Sequence, residues 1–334
     1  MVDAKRYDVA GMGNAIVDIL ASVDDEFLLT HEIAKGAMTL IDAFRAEQLQ
    51  KALGARATHE IAGGSAGNTM AGIASLGGTG VYVGKVKDDR LGRVFTQSLE
   101  SLGIAFATAP AKDGPSTASC TIAVTAEGER SMSTYLGACR ELTPADIDEA
   151  ELAAAQILYI EGYLWDADEA KAASRKAIAA VKRTGGKIAF TMSDSFCVGR
   201  FRDEFLGLMK SDLDIVFANE EEAKSLFRRD DWGGVLTAAK AWGGTIALTR
   251  SEKGCVVVKG EEVHTLTAVP VSRVVDTTGA GDQFSAGFLF GLTHGRGLDD
   301  CGRLGALAAA EVISHYGARP ETPLKELAAK AGLL

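Results

Sequence analysis

The sequence predicts an α/β protein with a doubly wound, mostly parallel central sheet flanked by helices and a small β-sheet lid. Three observations carry this. From about residue 143 onward, apolar strand-like runs alternate with helical patterns, the rhythm of a parallel sheet. Glycine is frequent and proline scarce, 38 against 6, which suits many tight strand–helix turns. Between about 104 and 135 the rhythm changes to short strands broken by Lys112-Asp113-Gly114-Pro115 and Glu127-Gly128-Glu129, a meander rather than a strand–helix repeat.

Each element follows from local pattern. Residues 7–13 read as a buried strand ending at glycines, 15–23 as a second strand, 24–31 as a short helix and 37–41 as a short strand. Residues 47–53 have helical spacing. An apolar, small-residue helix follows Gly63-Gly64 and stops at Gly77-Gly78, as helices do at a glycine C-cap. A strand at 81–86 and an amphipathic helix at 91–102 precede the meander, whose strands lie at about 105–108, 118–125 and 130–135. Thr143 then caps a helix start with Pro144 in its first turn. Strands are expected at 157–160, 187–192, 215–218, 245–249, 255–259 and 271–275, and helices at 167–184, 201–210, 220–227 and 234–242. Two helices, 280–294 and 299–316, close the chain. The expected organisation is one domain over 1–334, its lid built from inserts at about 15–45 and 104–138.

Composition excludes several classes. A net charge of −10 repels polyanions, so the expected partners are small molecules, with no nucleic acid and no anionic membrane. No apolar run approaches the length of a membrane span, and the N-terminus lacks a signal-peptide core, which makes the cytoplasm the expected compartment. The five cysteines are scattered and never in CxxC spacing, as for free thiols in a reducing compartment. Neither a Walker A lysine motif nor a Gly-x-Ser-x-Gly elbow is present.

Four runs of residues carry chemistry. The sharpest is Asp276-Thr277-Thr278-Gly279-Ala280-Gly281-Asp282, placed between the 271–275 run and an apolar helix. Its glycines leave backbone N–H groups uncovered at a helix N-terminus, where the dipole favours a phosphate. Asp282, in the first turn, stands where a carboxylate can take a proton from an attacking hydroxyl. Two aspartates six apart around this core are more than a helix cap requires. The second run, Gly63-Gly64-Ser65-Ala66-Gly67-Asn68, lets backbone approach a ligand and offers an amide to a diol; read alone, it equally describes a packing turn. The third, Gly11-Met12-Gly13-Asn14-Ala15-Ile16-Val17-Asp18, fails as a dinucleotide fingerprint because the third glycine is absent; Asp18 is either a sugar-hydroxyl acceptor or a surface turn residue. The fourth, Asn219-Glu220-Glu221-Glu222, follows a strand and suits either Mg²⁺ through water or an acidic first helical turn.

Together these runs, in this order over essentially the whole chain, resemble the ribokinase-like (phosphofructokinase-B) carbohydrate kinase family. Asn219…Glu222 is similar to its NxxE motif. Within the family, Gly13-Asn14-Ala15-Ile16-Val17-Asp18, Val23-Asp24-Asp25-Glu26-Phe27-Leu28, Arg130-Ser131 and Leu136-Gly137-Ala138 resemble its adenosine kinase branch; other sugar kinases share the scaffold. The resemblance implies a ribokinase-like fold and phosphoryl transfer from ATP with Mg²⁺, with room for a monovalent cation, in a monomer or a homodimer. It implies that Asp282 is the base and that the N–H groups of Gly279, Ala280 and Gly281 form the anion hole. Asp18, Gly64, Ser65 and Asn68 would hold the ribose side; Asn14, Met38, Leu40, Leu136, Ala138 and Tyr163 the base side. Asn219, Glu222, Thr249, Gly254 and Thr278 would serve the phosphates and the metal. The run Thr249-Arg250-Ser251-Glu252-Lys253-Gly254 departs from the family at Ser251, where many relatives have glycine, so the local loop shape is open. Met38 stands where some adenosine kinases carry a polar residue. A non-catalytic binding protein and an NAD-dependent oxidoreductase are the competing classes; the intact Asp282 and glycine loop oppose the first, the missing third glycine the second.

Overall fold

A computed structural model describes residues 5–334 of the chain. Its strands are β1 (Tyr7–Met12), β2 (Ile16–Ser22), β3 (Met38–Leu40), β4 (Ala57–Ala62), β5 (Gly80–Val83), β6 (Ile104–Phe106), β7 (Ala118–Val124), β8 (Arg130–Tyr135), β9 (Ala155–Glu161), β10 (Lys187–Thr191), β11 (Ile215–Asn219), β12 (Thr245–Thr249), β13 (Cys255–Lys259) and β14 (Glu262–Leu266). A nine-stranded sheet runs β14-β13-β12-β11-β10-β9-β1-β5-β6. From β12 to β6 every pairing is parallel; β13 and β14 add antiparallel pairs at one edge.

Helices cover both faces, so the central strands are apolar throughout rather than alternating. Leu158 and Ile160 of β9 point into one core with Trp165, Phe190 and Phe205, while Tyr159 points into the other with Met70, Phe95, Phe284 and Phe288. Strand order reverses at β1: the chain leaves it for β5 and β6 on one side, then returns to β9 on the other. Such a switch point opens a crevice at the carboxyl ends of the strands. Gly13 and Asn14 follow β1 there, and Glu161 ends β9.

The second sheet runs β3-β8-β7-β2-β4. It differs from the expected lid in extent. β4 belongs to it, so its first segment reaches residue 62 rather than 45; residues 61–62, read as the lead-in to the glycine run, are the end of this strand. β6, expected in the meander, instead pairs parallel with β5 in the large sheet. One further expectation fails, and two elements were missed. The run 271–275 is not a strand, because no neighbouring strand reaches it: the Val275 N–H donates to the Ile313 carbonyl at the end of a helix, and Val274 is 54% exposed. β14, a polar edge strand with little apolar signal, was not expected, and neither was the last short helix, Leu324–Lys330. Among the described residues no helix is long and apolar enough to cross a membrane.

Candidate active site

Helices Ser65–Leu76 and Ala280–Thr293 begin on Gly64 and Gly279, each with φ of 78° and neither with a side-chain cap. Both positions need glycine for handedness and for space. A side-chain carbon at Gly64 would collide with the Asn14 carbonyl oxygen, and one at Gly279 would lie 2.6 Å from the Ala318 side chain. The two helix starts meet. Ser65 Oγ donates to Asp282 Oδ1 at 2.7 Å, and Asn68 Nδ2 donates to Oδ2 at 3.0 Å. Thr69 Oγ1 donates to the Asp282 carbonyl at 3.2 Å. Beneath them the buried Gln283 amide donates at 2.9 Å to the carbonyls of both Asn68 and Ala318. The second and first motifs of the sequence are therefore one hydrogen-bonded unit.

Burial pushes the Asp282 carboxyl up from its ordinary value, and the Ser65 and Asn68 donors oppose that rise. Asp18, on β2, is pushed up to about 6, chiefly by burial and in part by Asp282, against the pull of Arg130 and Arg319. Glu161 was not singled out from the sequence. It is 1% exposed, with Oε1 accepting from the Asn14 N–H at 2.7 Å and Oε2 from the Ala66 N–H at 2.9 Å. Burial raises it to about 7, opposed by those two N–H groups. An acidic residue closing an apolar strand just before Gly162 was the available signal.

On the other side of Gly279 lies a cavity of about 640 Å³, lined mostly by apolar groups such as Val271, Ala309 and Ile313, with Thr249, Ala280 and Gly281 at its wall. Gly281 is exposed, and a side-chain carbon there would meet no atom within 4 Å. The helix start is thus open toward the cavity, which fits a nucleotide with its phosphates at the helix N-terminus. Gly254, with φ of 83°, borders the same cavity. So does Ser251, whose φ of 50° answers the question left by its identity: serine takes the left-handed conformation at this turn. The loop into the helix is anchored by Asp276, which accepts from the N–H groups of Thr278 and Gly317 at 3.0 Å and forms a buried ion pair with Arg130 of the small sheet. Burial alone would raise the Asp276 carboxyl; these partners outweigh it and hold it below its ordinary value.

Asn219 and Glu222 close a capping box: the Glu222 N–H donates to Asn219 Oδ1 at 2.8 Å, and Asn219 N and Nδ2 donate to the two Glu222 oxygens at 2.9 and 2.7 Å. Glu222 is pushed up to about 7 by burial, with the Asn219 N–H opposing and Asp194 adding to it. Among the described residues there is no group of three or more acidic, histidine or cysteine side chains placed to hold a metal ion.

The base-side residues are less gathered. Met38 and Leu40 lie on β3, 51% and 57% exposed, paired with Met132 and Thr134 of β8. Leu136 and Tyr163 are half-buried, the first just after β8 and the second just beyond β9. Ala138 departs from expectation: it is fully buried, its N–H bonded to the Ser116 carbonyl, and it presents no surface to a ligand. Arg319, also absent from the sequence reading, donates through Nε to Asn68 Oδ1 at 3.4 Å and through Nη1 to Ser98 Oγ at 2.8 Å. A lone arginine in a Gly-Ala-Arg-Pro turn gave no signal.

Residues 31–325 match the model of the pfkB family carbohydrate kinases. The chain is similar to a probable sugar kinase from Rhizobium etli (49% identity, 99% of this chain and all of that one, TM-score 0.91). It is similar to an adenosine kinase from Sinorhizobium meliloti (50% identity, 98% of this chain and all of that one, TM-score 0.89). An uncharacterized sugar kinase from Archaeoglobus fulgidus is 30% identical over 257 residues, 75% of this chain and 98% of that protein.

Proposed function

Since the chain belongs to the pfkB family of carbohydrate kinases, and so is a phosphotransferase acting on an alcohol group, we propose that it transfers the γ-phosphoryl group of ATP to the 5′-hydroxyl of adenosine, giving AMP and ADP. The observation that carries the chemistry is Asp282, a carboxylate held by Ser65 and Asn68 at the mouth of an open helix N-terminus. In this reading Asp282 accepts the proton as the hydroxyl oxygen forms its bond to phosphorus, while the bond from the γ-phosphorus to the bridging oxygen breaks and ADP leaves. The N–H groups of Gly279 and Gly281 face the charge on the phosphoryl oxygens, whereas that of Ala280, expected to join them, donates to the Thr277 carbonyl at 3.2 Å. The nucleotide occupies the cavity beside Gly281, with Thr249, Gly254 and Thr278 near its phosphates. Bound Mg²⁺ would neutralise triphosphate charge, its waters held by Asn219 and Glu222.

Asp18 and Asn68 suit a ribose diol, as acceptor and as mixed donor and acceptor. The small sheet serves as a lid whose closure excludes water that would otherwise receive the phosphoryl group. The choice of adenosine rests on the similarity to the Sinorhizobium meliloti enzyme; the similarity to the Rhizobium etli protein supports the second reading, a sugar kinase acting on ribose, fructose or a keto-deoxy sugar acid.

The test is ATP consumption with Mg²⁺, comparing adenosine, inosine, ribose and fructose at equal concentration. Saturable turnover with adenosine alone is expected; turnover with a free sugar instead would transfer the assignment to the second reading. Asp282→Asn is expected to lower kcat by about 10²–10⁴-fold, and a variant with near wild-type turnover would remove Asp282 from its role.

A further inference from the structure

Asn68 lies between two groups of opposite hydrogen-bonding capacity. On one side is the Asp282 carboxylate, which only accepts when ionised; on the other is the Arg319 guanidinium, which only donates. Of the two orientations of the Asn68 amide, one places Nδ2 on Asp282 and Oδ1 on Arg319. The other sets oxygen against carboxylate and N–H against guanidinium. A carboxylate alone biases this choice; a cation on the far side settles it.

Arg319 is built to stay in place. Its Nη1 is tied to Ser98 on the helix Arg90–Ser101, and its Nη2, buried without a partner among the described residues, lies where a side-chain carbon at Gly67 would come to 3.7 Å from it. Its own stretch of chain is fixed on both flanks: the Gly317 N–H donates to Asp276, and the Ala318 carbonyl accepts from Gln283. The turn at 317–319 therefore touches the start of the anion loop, its middle at Gly279 and the residue after Asp282, while Arg319 reaches across to the other helix start.

We infer that Arg319 is a positioning residue for phosphoryl transfer, locking the Asn68 amide so that it donates to Asp282 and holds the carboxylate aimed at the acceptor hydroxyl. The inference rests on the reading of Asp282 as the base. Without the guanidinium the amide can turn over, and the carboxylate loses a donor and its alignment.

The experiment is a double-mutant cycle of Arg319→Met and Asn68→Ala, with Arg319→Lys as the conservative variant, Asp282→Asn as control, and turnover normalised to folded protein by circular dichroism. Arg319→Met is expected to lose on the order of tenfold to a hundredfold in kcat with an unchanged KM for ATP. Loss of the donor also moves the acid limb of the kcat profile to higher pH. The other titratable groups facing Asp282 are Asp18, Glu161, Tyr159 and Tyr163; the variant retains all four, and Asp18, which Arg319 helps to hold down, rises with its loss. Because Arg319 acts through Asn68, the double variant is expected to be no slower than Asn68→Ala alone, and lysine, which can still donate to Oδ1, recovers much of the loss. Additive losses in the double variant, or an Arg319→Met enzyme with wild-type kcat and acid limb, would overturn the role of Arg319 while leaving Asp282 as the base. Near wild-type turnover of Asp282→Asn would overturn both.

Discussion

Helix Ser65–Leu76 and helix Ala280–Thr293 start on glycines of the same φ, and both lack a side-chain cap, yet their N-termini are occupied differently. The first is already filled: the Ala66 N–H donates to Glu161, a carboxylate from the neighbouring strand that also takes the Asn14 N–H. The second opens on a cavity through Gly281, where not even a methyl group would find a neighbour. A helix N-terminus attracts anions wherever it stands. In the proposed reading, what makes one of these a scaffold and the other a phosphate site is whether the protein supplies the anion itself.

Removing the resident anion gives the largest expected effect. Glu161→Ala leaves two buried N–H groups unanswered, at about 1–3 kcal/mol each, so a destabilisation of several kcal/mol is expected in denaturant titration. A loss below 1 kcal/mol would mean that the filled start needs no filling. Next comes the open start. Gly281→Ala is expected to leave thermal unfolding unchanged or slightly raised, since alanine favours a helix by about 1 kcal/mol over glycine, while turnover falls about ten- to a hundredfold as the methyl group crowds the phosphate. A fully active Gly281→Ala enzyme would show that the N–H groups there face nothing in the reaction.

A smaller effect separates the two sides by pH. Asp18 has an ordinary value of 3.8 and is raised to about 6 in the folded chain, so the native state holds this proton more tightly than the unfolded state. Its favourable contribution is complete below about pH 4 and is lost as pH rises through 6. Asp18→Asn should therefore gain on the wild type between pH 5 and pH 8, by about 1–2 kcal/mol, read as a widening difference in Tm; a constant difference would place Asp18 in a better-solvated setting. The smallest effect is at the cavity rim. Ser251 holds φ of 50° without the freedom of glycine, and Ser251→Gly is expected to stabilise by up to about 1 kcal/mol. A drop in Tm would mean that the serine side chain itself secures the turn.

How much of this was legible in the sequence follows the same division. Gly279, Gly281 and Asp282 fall within four consecutive residues, and the chemistry of an open helix start is written in one short run. Ser65 and Asn68 were legible because a second glycine run precedes a helix, although only the structure brings them onto Asp282. Glu161, Gln283 and Arg319 act through contacts 35 to 251 residues away in sequence, on backbone carbonyls, amides and N–H groups that no local pattern reveals. Ala138 was placed on the base side by resemblance alone, whereas it is fully buried. In the fold, strands buried on both faces announced themselves as apolar runs. β4 and β14 did not, being polar, and β6 was legible as a strand but assigned to the wrong sheet, since sheet membership is decided by partners far along the chain.

The interleaving of the two sheets has a consequence for how the chain acquires its shape. The small sheet is woven from residues 16–62 and 118–135, with β5 and β6 of the large sheet made in between, and β1 must wait for β9 before it is paired on both sides. Such long-range pairings slow folding, because loop-closure entropy is spent before the contacts form. On the ribosome, β2 remains without its parallel partner β7 until about a hundred further residues have been synthesised. The small sheet therefore cannot be excised or grafted as one fragment. Exchanging it between relatives takes two coordinated splices, and a chain cut between them leaves unpaired strand edges of the kind that aggregate.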